Sequence, residues 1–340
     1  MRGTGGESAS ELPIAVLGAG SWGTALAIQF ARSGRPVVLW GRDRAGLEVL
    51  QRDRRNVRYL SDAAFPDGLV IEPEFLRAVD RAVDILIAVP SHAFRATLDR
   101  LAPVLHHGQR VAWATKGFEL DSGLLPHEVA RTVLGADVPI AVLSGPTFAT
   151  EVGKGLPTAM TVASPNERFA DELARTLSGQ NFRAYTTPDI VGVEVGGAVK
   201  NVLAIATGVS DGMGYGANTR IAVITRGLVE MTRLGLALGA REETFRGLAA
   251  LGDLVLTCTD DQSRNRRFGL AIARGRSTAD AQRDIGQIVE GVQSARAVRL
   301  VAARVGVEMP ITEQVYLVLH EGGDVREAVK RLMGRELKRE

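Results

Sequence analysis

Cysteine is nearly absent: Cys258 is the single one in 340 residues. An internal disulfide is excluded, so a reducing compartment, the cytoplasm, is the expected location. With no adjacent histidine base, Cys258 reads as packing rather than as a nucleophile. Histidine is also scarce. His92, His106, His107, His127 and His320 show no ligand spacing, so no metal is expected. An excess of charge is lacking too: 41 basic and 39 acidic side chains leave +2, which argues against a broad nucleic-acid surface. No stretch reads as apolar for long enough to span a bilayer. The longest weakly charged region, Val191 to Val209, contains Glu194, Lys200 and Asn201. Residues 1–12 lack the apolar core of a signal peptide and read as a loose tail.

What remains is a chain long enough for two domains and, at 45% hydrophobic residues, able to build a sizeable core. Its most informative run is Ile14-Ala15-Val16-Leu17-Gly18-Ala19-Gly20-Ser21-Trp22-Gly23, followed by an apolar helical pattern from Thr24. Strand, glycine turn and helix start in that order suit a dinucleotide. Gly18 permits the sharp turn, Gly20 lets backbone N–H groups approach a pyrophosphate, and Gly23 lets helix and strand pack closely. Glycine turns are common, and a purely structural turn is the competing reading.

Apolar runs at Ile14–Leu17, Val37–Trp40, Ile85–Val89, Arg110–Ala114, Ile140–Leu143 and Thr158–Val162 read as strands. Several lack in–out alternation, as in parallel strands covered on both faces. Helical patterns such as Thr24–Arg32 and Phe94–Leu105 lie between them, giving the rhythm of a doubly wound α/β sheet. After Thr187 the patterns at Val191–Gly208, Ile221–Leu238, Thr244–Leu251, Arg266–Arg274, Val292–Val305, Thr312–Leu319 and Val325–Met333 read as helices. The expected plan is a Rossmann-type domain over 13–188 and an all-helical domain over 189–340. A cleft between the two is the natural place for a substrate.

The second strand runs into Gly41-Arg42-Asp43-Arg44. A guanidinium at Arg42 suits a 2′-phosphate and favours NADP(H), whereas Asp43 keeps NAD(H) open. A solvated charged loop is the plain alternative. Trp22 would sit near phosphate or ribose, or simply pack.

Lys200 and Asn201 stand in an apolar helical pattern flanked by Gly196 and Gly197. If Lys200 faces a cleft, desolvation lowers its pKa towards proton-transfer range; otherwise it is a snorkelling lysine. Asp253, a lone acid in apolar surroundings, could orient that ammonium or cap a helix. Ser263-Arg264-Asn265 could grip a phosphate or carboxylate, or form an ordinary basic loop. Lys116 and the segment Gly145-Pro146-Thr147 both end strands, where α/β sheets bind ligands. Lys116 could polarise a substrate oxygen, and Gly145-Pro146 could be no more than a tight loop.

Taken together, GAGSWGTALA, VVLWGRD, ATKGFE, LSGPTFA, VGVEVGGAVKNVLAIATGVSDGMGYGANTR, ALGDLVLTC, QSRN and IVEGV resemble the bacterial-type NAD(P)-dependent glycerol-3-phosphate dehydrogenases, from about Pro13 to about Met333. The resemblance implies hydride exchange between dihydroxyacetone phosphate and sn-glycerol 3-phosphate, which supplies the glycerol backbone of phospholipids. It implies Lys200 as proton donor in reduction and acceptor in oxidation. Lys116, Asp253, Ser263, Arg264 and Asn265 would bind substrate, with further contacts from Gly145 and Thr147. Ser21, Trp22, Arg42, Lys116, Ala149, Arg264, Ile288 and Glu290 match cofactor positions, although Glu290 alone reads equally as a surface acid near a helix start. A homodimer is compatible with the resemblance. Three positions depart from the family's usual wording: Thr147 for serine, Arg42 for histidine, and Ala250 within a glycine–leucine–glycine run. Two rivals remain at this point, a hydroxyacid or ketopantoate-type reductase and a non-catalytic NADP(H)-sensing module.

Overall fold

The computed structural model describes residues 12–335. The expected tail lies outside the described residues except for Leu12. The chain divides into two compact units. The first takes the described residues up to Thr115 together with Pro126–Ile190, and the second takes Lys116–Leu125 and the chain from Val191 onward.

The first unit is built on strands β1 (Ile14–Leu17), β2 (Val37–Trp40), β3 (Arg55–Asn56), β4 (Leu60–Ala64), β5 (Leu69–Ile71), β6 (Asp84–Ile87), β7 (Arg110–Trp113), β8 (Ile140–Ser144), β9 (Thr158–Ala163) and β10 (Phe182–Thr187). Eight of them form one sheet in the order β10-β9-β8-β7-β6-β1-β2-β5, and β3 and β4 form a separate hairpin. β1 lies centrally, parallel to both β2 and β6. All four of its residues are buried, because helices cover both faces. The sheet departs from a wholly parallel plan at one place, where β8 and β9 pair antiparallel. Beneath it, Arg35 reaches Asp84 at 2.6 Å, and Arg110 reaches the other oxygen of Asp84 at 2.6 Å. Arg110 also pairs with Glu172.

The second unit has helices and connecting turns but no strand among its described residues from Val191, so the doubly wound sheet is followed by a helical domain as expected. Its central element is the helix Ile190–Gly212. By length and composition this helix could cross a membrane, contrary to the sequence reading, but 89% of its apolar window is buried inside the protein. Where Thr244–Leu251 reads as a helix, the chain instead makes a 3₁₀ turn over Glu242–Arg246 and a π-helical turn over Leu248–Gly252. The latter runs directly into the helix Asp253–Thr259.

The boundary at 188 needs one amendment. Lys116–Leu125 follows β7 in sequence yet belongs with the helical unit. Phe118 and Leu125 are buried in the helical core, and Arg304 donates to the carbonyls of Ser122 and Gly123 at 3.0 and 3.1 Å.

Candidate active site

In the first unit, the glycine turn follows β1. Gly18 has φ +132°, and a Cβ there would meet the Ala88 carbonyl oxygen at 2.4 Å. A Cβ on Gly23 would strike the Gly18 carbonyl oxygen at 1.9 Å. These two glycines are required by the protein's own backbone. Gly20 is different: beyond its immediate chain neighbours, nothing described lies within 4 Å of where its Cβ would be. It precedes the helix Ser21–Arg32, whose N-terminus has no side-chain cap and no acid in its first turn. An uncapped helix start beside an open glycine suits an anionic group. Trp22 is half-buried, and its Nε1 is a buried donor without a partner. The residues present therefore fit a dinucleotide.

Arg42 is exposed after β2. The neighbouring Asp43 carboxylate caps the helix Arg44–Asp53 by accepting from Gly46 N at 3.0 Å. Gly145 follows β8 with φ +150°, and its missing Cβ would lie 2.9 Å from Met160 Cα. Thr147 donates its hydroxyl to the Gly145 carbonyl at 3.2 Å, and Ala149 opens the helix Ala149–Lys154. β1, β2 and β8 belong to the mutually parallel part of the sheet, so these residues share its carboxyl edge.

The second unit brings the proposed acid–base residues together. Lys200 Nζ donates to Asp253 Oδ1 at 2.6 Å and to Thr257 Oγ1 at 3.0 Å. Lys116 Nζ donates to Asp253 Oδ2 at 2.7 Å. One carboxylate thus holds two ammonium groups. Burial pushes the Lys200 amine down to about 8, assisted by the like charge of Lys116 and opposed by Asp253. Burial pushes the Asp253 carboxyl up, but the two lysines outweigh it and hold that group below the usual carboxylate range. The snorkelling alternative for Lys200 is excluded, since the residue is 7% exposed. Asp253 does open a helix, but both its oxygens serve the lysines.

Beside this cluster, Ser263 and Asn265 are tied into the protein by side-chain hydrogen bonds. Ser263 caps the helix Arg264–Ala273 by accepting from Arg266 N at 3.2 Å. Arg264 is half-buried, with a 3.4 Å contact to Gln287 Oε1. Asn265 commits its side-chain oxygen and one of its two amide N–H groups within the protein. Its amide donates to Asn201 Oδ1 at 2.9 Å, and its carbonyl accepts from Gly291 N at 2.9 Å. Glu290 accepts from Asn201 Nδ2 at 3.3 Å, and Ile288 is exposed. Arg266, next along the helix, is buried and pairs with Asp211 and Asp261. Thr257 was missed, although it stands four residues after Asp253 on the same helix face. Cys258 is buried, and burial pushes its thiol up to about 12.

The profile described as NAD-dependent glycerol-3-phosphate dehydrogenase N-terminus matches residues 13–170, and its C-terminus counterpart matches 189–330. The chain is 55% identical to "Glycerol-3-phosphate dehydrogenase [NAD(P)+]" of Aeromonas salmonicida (strain A449), over 96% of this chain and 98% of that one. It is likewise 55% identical to the protein of the same description from Pseudoalteromonas translucida (strain TAC 125), over 96% and 98%. A crystal structure of glycerol-3-phosphate dehydrogenase from Coxiella burnetii superposes with TM-score 0.92 at 49% identity, covering 96% of this chain and 99% of that one.

Proposed function

The chain belongs to the NAD-dependent glycerol-3-phosphate dehydrogenase family, and from that premise we propose which of its residues carry each part of the reaction. It is an oxidoreductase that reduces dihydroxyacetone phosphate to glycerol 3-phosphate, a precursor for phospholipid synthesis, with a nicotinamide cofactor. Gly18, Gly20 and Gly23, with the first turn from Ser21, would hold the pyrophosphate, and Trp22 offers its indole N–H nearby. Arg42 would meet a 2′-phosphate. Because Asp43 is occupied as a helix cap, NADP(H) is the favoured cofactor and NAD(H) the lesser one. When bound, the dinucleotide would supply the hydride for reduction of the ketone.

The remaining chemistry belongs to side chains of the helical unit. Arg264, with the N–H groups opening its helix, grips the substrate phosphate. Remote binding energy then orients the ketone for reaction. Lys200 gives a proton to the developing alkoxide and takes one back in oxidation. Asp253 aims that ammonium and keeps it charged near neutral pH. Lys116 offsets the charge of Asp253 and stabilises the oxygen.

One observation carries this reading: a buried amine held to about 8 within a cluster of two lysines and one aspartate. Lys200→Ala tests it. Turnover of dihydroxyacetone phosphate should fall by about 10²–10⁴-fold, with NADPH binding by fluorescence nearly unchanged. Turnover within a few-fold of the parent would remove Lys200 from the mechanism.

A further inference from the structure

Lys200 and Arg264 sit on different helices, Ile190–Gly212 and Arg264–Ala273. Each stands one residue before an asparagine, and those asparagines, Asn201 and Asn265, are bonded to each other at 2.9 Å. From that bond onward the two helices run side by side in the same direction. A Cβ on Gly208 would lie 2.1 Å from the Arg266 carbonyl oxygen, and one on Gly269 would lie 2.2 Å from the Ile205 carbonyl oxygen. One turn further on, a Cβ on Gly212 would lie 2.6 Å from Ala273 Cβ. Backbone therefore touches backbone through successive turns.

A parallel pair with smooth glycine faces could still slide by a turn, about 5.4 Å. Here polar groups pin it. Arg266 reaches across to Asp211 on the lysine helix, and the same carboxylate accepts from Arg220 at 2.9 Å. Arg266 is 8% exposed, so this pair is shielded from solvent screening. A third helix closes the other end: a Cβ on Gly291 would lie 2.6 Å from the Asn201 carbonyl oxygen.

We propose that this pinned register, set by the Gly208–Gly269 contact and the Arg266–Asp211 pair, fixes the span between proton donor and phosphate grip and so matches the site to a phosphorylated three-carbon ketone. Arg266 and Asp211 are positioning residues; neither needs to touch substrate. The proposal rests on the reading that Arg264 holds the phosphate. Lys200 keeps its own ties to Asp253 and Thr257, so a disturbed register moves the grip more than the proton donor.

The experiment compares steady-state kinetics of the full-length Gly269→Ala, Arg266→Met and Arg264→Ala proteins. Arg266→Met leaves Asp211 paired with Arg220, which avoids an uncompensated buried charge. If Gly269→Ala does not fold, Arg266→Met decides alone. Each register variant should raise KM for dihydroxyacetone phosphate about tenfold, with a smaller change in kcat and an unchanged KM for NADPH. A merely structural role would lower the active fraction, and hence kcat, while leaving KM in place. That outcome, with Arg264→Ala still raising KM strongly, overturns the register proposal and leaves the phosphate reading standing. If Arg264→Ala leaves KM unmoved, the phosphate reading fails and takes the register proposal with it.

Discussion

At the residue scale, the proposed chemistry turns on how three charges compete around one buried nitrogen. Burial and Lys116 lower the Lys200 pKa, while Asp253 raises it, leaving it at about 8. In the proposed mechanism reduction needs the ammonium and oxidation the free amine. Turnover in the reducing direction should therefore fall as pH rises through about 8, and oxidation should rise over the same window. Asp253→Asn removes the largest influence that raises the Lys200 pKa, so both profiles should move to lower pH. A pH series of kcat in each direction checks the sign, and a shift to higher pH would contradict the arrangement. Lys200 and Asp253 were legible in the sequence only as open choices, because an apolar neighbourhood does not say whether a lysine points inward. Thr257 could have been found from its four-residue spacing after Asp253. The bond between Asn265 and Asn201 could not, since the two residues are 64 positions apart.

At the element scale, a second buried acid joins two helices of the helical unit. Glu230, on the helix Ala217–Ala237, accepts from Ile311 N at 2.7 Å and Thr312 N at 3.3 Å. It thereby caps Pro310–His320, whose own N-cap residue, Met309, offers no side-chain bond. Burial pushes the Glu230 carboxyl up to about 7, against the pull of these bonds and of Arg233. Between the ordinary value of 4.5 and about 7, the unfolded chain binds fewer protons here than the folded one. This group's contribution to stability is then lost as pH rises through that window, with no further change above it. Glu230→Gln cannot ionise, so its Tm deficit against the parent should shrink between about pH 5 and 8. Calorimetry showing the deficit widening with pH would contradict this. β1 was plain from an uninterrupted apolar run, and the long lysine helix from an extended, largely apolar stretch broken only by a few polar residues. β5 is only three residues long, and β10 is a largely exposed edge strand, so neither carries a clear period. The π-helical turn at Leu248–Gly252 has a helical composition, and only the backbone reveals how it delivers Asp253.

At the scale of the whole molecule, the change from strand to helix signals near Thr187 revealed two units. It did not reveal that Lys116–Leu125 sides with the helices, because the partner of Lys116 lies 137 residues ahead. Cofactor choice, too, is readable as a property of the entire folded chain. A ligand that binds only the native state stabilises it by RT ln(1 + [L]/Kd), so a tenfold tighter Kd adds about 1.4 kcal/mol at saturating concentration. One charge-assisted hydrogen bond from Arg42 to a 2′-phosphate is worth roughly 1.5–3 kcal/mol. For a protein of this size each kcal/mol moves Tm by at most a few degrees, roughly 2–4 °C in somewhat smaller domains. At equal concentrations NADPH should therefore raise Tm by a few degrees more than NADH. Arg42→Ala should erase that difference and leave the NADH shift where it was, since the exposed Arg42 side chain has no role in the core and Asp43 stays committed to Gly46. If the substitution reduces both shifts equally, Arg42 acts on the dinucleotide as a whole, and the preference for the phosphorylated cofactor must arise elsewhere along the carboxyl edge of the sheet.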